Sequence, residues 1–359
     1  MMELLNNYNG MDGSDMLNAA KAAGRRVVAV GGGTGLSALL LGLKEYTDNI
    51  TAVVTVTDDG GGSGKLRQEF GMLPPGDIRN CLLALANTSS MMSDVLNYRF
   101  TEGSLSGQSF GNLFILALNR VCGSFDRAIA SMNEILAVTG RVLPVTNTNI
   151  NLRAWFSDGS MADGETAITS KKKGTHLDIS HIEIIPQSAV ALDSVIDALL
   201  DADVIVLGPG SLYTSVIPNL LVGNVASAIK SSPALKIYIQ NIMTQDGETE
   251  NFTASQHIKE INRYAKGRIV DACLYNTAPI NRTLTMKYDA ENSRQVEIDK
   301  KQINAMGIKM FGAEILARDS HLARHDPLRL AYNIMFMADI IAPRRGLLKK
   351  YDEALLRQE

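Results

Sequence analysis

Short apolar runs alternate with amphipathic stretches along most of this chain, and glycine clusters mark several of the joints. The run RRVVAVGGGTGLSALLLGLK, Arg25 to Lys44, reads as a buried strand, a tight glycine turn and an amphipathic helix. Ile50 to Val56 reads as a second buried strand and feeds the loop DDGGGSGKLRQ. In MLPPGDIRNCLLALAN, Pro74 and Pro75 stop regular structure and Asp77 is placed to cap a helix through Leu85. SGQSFGNLFILALNR then predicts a helix from about Asn112 to Val121. The middle changes character: RVLPVT, NLRAWF, MADGETAIT and HIEIIP are short β-like runs with polar turns, which predict a small lobe of antiparallel hairpins with Trp155 and Phe156 in its core. From Ser188 the first rhythm returns, with a helix through Leu200, the strand DVIVLG and the turn GPGSLYTSVIPNLLV. KIYIQN and RIVDACLYN read as two further parallel strands around a helix near Thr253 to Tyr264, and a last helix opens near Pro327.

This alternation predicts an α/β protein with a Rossmann-like, doubly wound, mostly parallel sheet and a small β-rich insertion at about 140–186. One domain spans 25–349, between a poorly ordered extension at 1–24 and a tail at 350–359. With 359 residues, of which 45% are hydrophobic, the chain can bury a substantial core. A formal charge of −3 argues against a general nucleic-acid binder. Lys171, Lys172 and Lys173 read as a solvated loop tip, and the widely spaced Cys81, Cys122 and Cys273 as small apolar residues in a reducing compartment. No apolar stretch is long enough to span a bilayer, and the Arg25–Arg26 pair lacks the features of an export signal, so the expected place is the cytoplasm, without membrane insertion.

The glycine turns carry the candidate chemistry. Gly31, Gly32, Gly33 and Gly35, with Thr34 between, admit positive φ and close ligand approach, and the free N–H groups of the turn and the following helix favour an anion. The spacing does not fit a dinucleotide fingerprint, because the third glycine of G-x-G-x-x-G would fall on Leu36. In the second loop Asp58, Asp59, Gly60, Gly61 and Ser63 end up on the same strand-end rim, and the aspartates either accept from a sugar diol, hold Mg²⁺ against phosphate, or cap a turn. Walker A is excluded, since Asp59 and Leu66 stand where Gly and Ser or Thr are required. Asn112 either caps a helix or reaches a ligand. Arg79 meets a phosphate or pairs with a neighbouring acid. Gly208, Gly210 and Ser211 suit a second phosphate or sugar contact, with Tyr213, Thr214 and Asn219 nearby. His321 and His325 have the spacing of two zinc ligands on a helix, but no Glu completes H-E-x-x-H. No nucleophile is singled out, so no catalytic residue is assigned.

Taken in order, GGGTGL at 31–36, DDGG at 58–61, PPGDIRN at 74–80, GNL at 111–113, GPGSLYTSVIPNLLV at 208–222 and RHD at 324–326 resemble the CofD-like family, within it the YvcK-type gluconeogenesis-factor branch. The resemblance runs from Arg25 to about Lys349. It implies a nucleotide at the strand-end rim, and a regulatory protein that binds UDP-sugars such as UDP-N-acetylglucosamine, needed for cell shape and for growth on gluconeogenic carbon sources. It also implies roles in UDP-sugar binding for Tyr288, in MKYDAENSRQV, and for Arg324, and an unidentified protein partner in cell-wall synthesis. Gly62 stands where relatives commonly carry Ser. The sister branch, 2-phospho-lactate transferase, implies the alternative: transfer of a phospholactyl group from a guanylyl-activated donor to a deazaflavin, with Mg²⁺ at Asp58 or Asp59. The regulator requires no cofactor. A homo-oligomer is expected, as is common for proteins of this class.

Overall fold

Valine, isoleucine and alanine dominate Val27–Gly31 and Ile50–Val54, five-residue runs buried on both faces, and such runs form the centre of a parallel sheet. In the computed structural model, which describes residues 21–173, 175, 177–318 and 321–343, the strands are β1 Val27–Gly31, β2 Ile50–Val54, β3 Arg141–Pro144, β4 Asn151–Phe156, β5 Met161–Asp163, β6 Ile179–Ile185, β7 Val204–Leu207, β8 Leu235–Ile239, β9 Ala272–Asn276 and β10 Lys309–Ala313. Seven make one sheet in the order β10-β9-β8-β7-β1-β2-β3, with every pairing parallel. β4, β5 and β6 make a separate antiparallel sheet in the order β5-β4-β6. The expected doubly wound α/β architecture with a small β-rich lobe is therefore the observed one.

The chain winds outward from β1 to β2 and β3, then returns to β7 on the other side of β1 and winds outward again to β10. The order reverses between β1 and β7, and at such a switch point the loops leaving adjacent strands diverge and open a crevice at their carboxyl ends. Helix Gly33–Leu43 leaves β1 and packs against the last described helix, Pro327–Ile341, on one face of the sheet. Helix Ala254–Tyr264 lies where the sequence predicts one and opens on a capping box of Thr253 and Gln256, while helix Phe110–Cys122 starts two residues earlier than predicted because Ser109 caps it.

Three expectations are corrected. Arg141–Pro144, placed in the lobe, is the edge strand of the main sheet and pairs with β2, so the lobe begins at Asn151. Glu165–Lys172, read as β-like, is a helix; Asp59 accepts hydrogen bonds from the Thr166 N–H and hydroxyl in its first turn at 3.0 and 2.6 Å. Lys172 is not at a solvated tip. It is buried, donating to the Glu248 carbonyl at 2.9 Å and pairing with the Glu250 carboxylate. Most of the expected N-terminal extension and C-terminal tail lie outside the described residues. Residues 21–24 are described and dock on the turn before β2, where Asn49 donates to the Ala22 and Gly24 carbonyls at 2.8 and 3.0 Å. Among the described residues no helix is long and apolar enough to cross a membrane.

Candidate functional site

The crevice at the switch point is built by two turns in contact. At Gly33 φ is +69°, which glycine adopts without strain, and the chain passes straight from β1 into its helix. Gly35 meets the turn after β7 so closely that a Cβ there would lie 2.7 Å from the Pro209 carbonyl oxygen. Gly31 and Gly32 do not take positive φ, contrary to expectation; Gly32 is instead hemmed in by Thr55 and Asp77.

An open cleft of about 280 Å³ lies over this junction. Of the predicted residues it brings together Thr34, Gly35, Gly210, Ser211, Tyr288 and Arg324. Thr34 and Gly35 belong to the first helical turn, whose N–H groups have no intrahelical partner. Ser211 donates to Gln245 Oε1 at 2.6 Å, and Asn241 donates to the Gly210 carbonyl at 2.9 Å. The Tyr288 hydroxyl accepts from the Ala323 N–H at 3.1 Å and so pins the segment that carries Arg324. Arg324 is exposed, and its guanidinium has no side-chain partner among the described residues. The segment Asn241–Gln245, after β8, completes the wall and was missed from sequence; its position at a parallel-strand carboxyl end was the available signal.

The remaining predicted residues lie elsewhere. Gly31 and Gly208 are buried at the ends of β1 and β7. Asn219 is buried and donates to the Gly31 and Ser215 carbonyls at 3.1 and 2.8 Å, so it holds the two turns together from below. Tyr213 is buried as well, its hydroxyl donating to Glu260 at 3.1 Å, and burial pushes its phenol up. The second glycine loop, with Asp58, Asp59, Gly60, Gly61 and Ser63, sits after β2, outside the cleft wall.

Asp77 joins that second loop to the first. It does not cap its own helix; its carboxylate accepts from the Gly33 N–H at 2.7 Å. One donor of the glycine turn is thus already taken by an anion, and the N–H groups left for a ligand begin at Thr34. Burial pushes the Asp77 carboxyl up to about 6, with the Gly33 hydrogen bond opposing it. Burial likewise pushes Glu165 well up, reinforced by Asp58, Glu248 and Asp77. Glu248 is raised to about 7 by burial, while it accepts from Thr214 Oγ1 at 2.8 Å and the Tyr213 N–H at 3.2 Å. Asp58, Asp77, Glu165 and Glu248 thus stand close enough to raise the Glu165 carboxyl together, and Asp77 ties this group to Gly33, next to Thr34 of the cleft wall.

Arg79 makes no hydrogen bond to a neighbouring acid among the described residues. It is buried, and its guanidinium donates to the Ser109 hydroxyl, to Asn112 Oδ1 at 3.1 Å and to Asn80 Oδ1 at 2.8 Å, with Nε unpartnered. Asn112 consequently neither caps nor faces the cleft; it holds Arg79. His325 is not on a helix with His321: it sits before the last helix, its Nε2 3.2 Å from the Gln240 carbonyl, and burial lowers its pKa to about 4. Among the described residues no three His, Cys, Asp or Glu side chains are gathered as a metal group.

A parallel α/β sheet with glycine turns meeting at its switch point gives the chain a Rossmann-like fold, an architecture whose general ligand position is the strand-end rim. The sequence profile described as 2-phospho-L-lactate transferase CofD matches residues 27–316, and the chain belongs to this family. It is 47% identical over 308 residues to a Clostridium acetobutylicum relative, covering 86% of this chain and 68% of that one. It is 40% identical over 307 residues to the Bacillus subtilis gluconeogenesis factor, covering 85% and 96% of the two chains. A crystal structure of a Bacillus halodurans protein superposes with a TM-score of 0.84 at 41% identity, covering 87% of this chain and 99% of that one.

Proposed function

We propose that this protein is a gluconeogenesis factor that binds a UDP-sugar, UDP-N-acetylglucosamine in the first instance, and reports its supply to a protein partner in cell-wall synthesis, so maintaining cell shape during gluconeogenic growth. The observation that carries the reading is the meeting of the β1 turn, the β7 turn, Tyr288 and Arg324 in one cleft. A diphosphate suits the Thr34 and Gly35 N–H groups at a helix start, with the Arg324 fork from the other side. The Tyr288 ring offers a face for uracil or the hexose. Ile242 and Met243 give the wall an apolar portion beside polar Asn241, Thr244 and Gln245. The relatives' names support the physiological setting. Thermal-shift measurements with UDP-sugars, UDP and GDP test it: UDP-sugars should raise the melting temperature of the wild type and raise that of Arg324→Ala less at the same concentration.

The crowding of Asp58, Asp77, Glu165 and Glu248 favours a second reading, the CofD-type phospholactyl transfer to a deazaflavin. There Asp58 is the better holder for Mg²⁺, because its Oδ1 accepts only the local Gly60 N–H at 2.9 Å, whereas Asp59 is committed to Thr166. Mg²⁺ bound to carboxylate and phosphate would supply charge neutralisation at the diphosphate. Formation of a phospholactyl deazaflavin from a guanylyl-activated donor would favour this reading over the first.

A further inference from the structure

The outward face of helix Pro327–Ile341 is apolar, where water would select polar side chains. Its buried face, including Leu330, Ile334 and Met337, packs toward helix Gly33–Leu43. On the opposite face Leu328, Tyr332, Phe336 and Ile340 follow one another at i, i+4 spacing and are 55, 54, 47 and 57% exposed. The rings of Tyr332 and Phe336 stack with centroids 6.1 Å apart and planes 12° from parallel. Arg329 and Asp339 flank this stripe at mirrored positions. Arg25 holds Asp339 through Oδ1, which leaves Oδ2 available on a side chain that is 69% exposed. Arg329 meets Glu314 at long range, donating to its carbonyl at 3.4 Å and standing 3.9 Å from its carboxylate.

We propose that this face pairs with the same helix of a second copy of the chain, antiparallel about a two-fold axis. The stripe is aliphatic at both ends and aromatic in the middle, so reversing its direction reproduces the same pattern. Turned end for end, Leu328 meets Ile340 of the second copy, Tyr332 meets Phe336, and Arg329 meets Asp339. Apolar and ionic matches are made in a single register, which is the self-complementarity a two-fold interface requires. An unrelated partner would not call for a stripe that matches its own reverse. The stripe starts at Leu328, four residues after Arg324 in the chain.

Sedimentation velocity on the full chain at about 50 µM, a range in which a modest interface associates, tests the proposal. The wild type should run as a dimer. Phe336→Lys and Tyr332→Lys should each weaken dimerisation by about a hundredfold, the scale for a charge placed at an interface centre, with melting temperatures equal to wild type at dilutions where both are monomeric, because both side chains point outward. A mixture of Tyr332→Cys and Phe336→Cys proteins should form disulfide-linked dimers under mild oxidation faster than either alone. A wild-type monomer would overturn the proposal, including the case in which residues 344–359 of the same chain cover the stripe. A dimer that both lysine variants leave intact, or a mixture that cross-links no faster than its components, would overturn it as well.

Discussion

Arg324 stands exposed with no side-chain partner among the described residues, so truncating it removes a ligand contact and leaves the fold alone. Arg324→Ala should weaken UDP-sugar binding by about 2 kcal/mol, roughly thirtyfold, at an unchanged melting temperature. Tyr288→Phe removes the acceptor for the Ala323 N–H and should weaken binding by severalfold, about 1 kcal/mol, by loosening the Arg324 segment. Asp77 makes a pH-dependent prediction. Its carboxyl ordinarily titrates at 3.8 and is pushed up to about 6 here, so the folded state holds the proton more tightly than the unfolded chain does. Ionising it therefore lowers stability as pH rises through that window, with no loss below it and the full loss above it. Asparagine keeps an acceptor for Gly33 and carries no charge. Asp77→Asn should be more stable than wild type by on the order of 1–3 kcal/mol near neutral pH in metal-free buffer, with the difference vanishing toward about pH 4 in denaturant melts. None of this was legible in the sequence, where Asp77 has the signature of a helix cap; its acceptor role depends on a contact with Gly33 across 44 positions.

Two turns in contact set the shape of the cleft, and Gly35 is where they touch. Gly35→Val should force the Pro209 carbonyl away, lower stability by about 1–3 kcal/mol and weaken nucleotide binding, as denaturant melts and titrations would show. The lobe depends on a different device. Lys172 on helix Glu165–Lys172 reaches Glu248 and Glu250, and Glu248 in turn receives the Tyr213 and Thr214 donors after β7. Lys172→Met leaves those acids without their cation and should cost about 3 kcal/mol, with faster hydrogen exchange over 165–172. At this scale the apolar runs were readable, because a strand buried on both faces leaves a continuous hydrophobic signature, as in Val27–Gly31 and Ile50–Val54. Arg141–Pro144 misled because an edge strand alternates exposed and buried positions like a hairpin. Glu165–Lys172 misled because its Thr and Ile residues favour strands, while Asp59, far away in sequence, supplies the hydrogen bonds that start a helix.

For the whole molecule, alternation of strand and helix was enough to anticipate a doubly wound sheet, and the three glycine clusters were enough to find the strand-end rim. Which clusters share a cleft was not, because that depends on strand order: β7 returns beside β1, so the first and third turns meet, while the second loop is carried to the far side of Asp77. Tyr288 and Arg324 come from the end of the chain, and their placement beside Gly210 follows only from the packed molecule. Under the proposed function this cleft holds a UDP-sugar without consuming it. Calorimetric titration with UDP-N-acetylglucosamine in the presence of Mg²⁺, run on wild type and Arg324→Ala, with the recovered nucleotide checked for integrity, tests it most directly. Saturable binding by the wild type, roughly thirtyfold weaker binding by the variant and an intact nucleotide are the predicted result. No binding, equal binding by both proteins, or a cleaved nucleotide would contradict it.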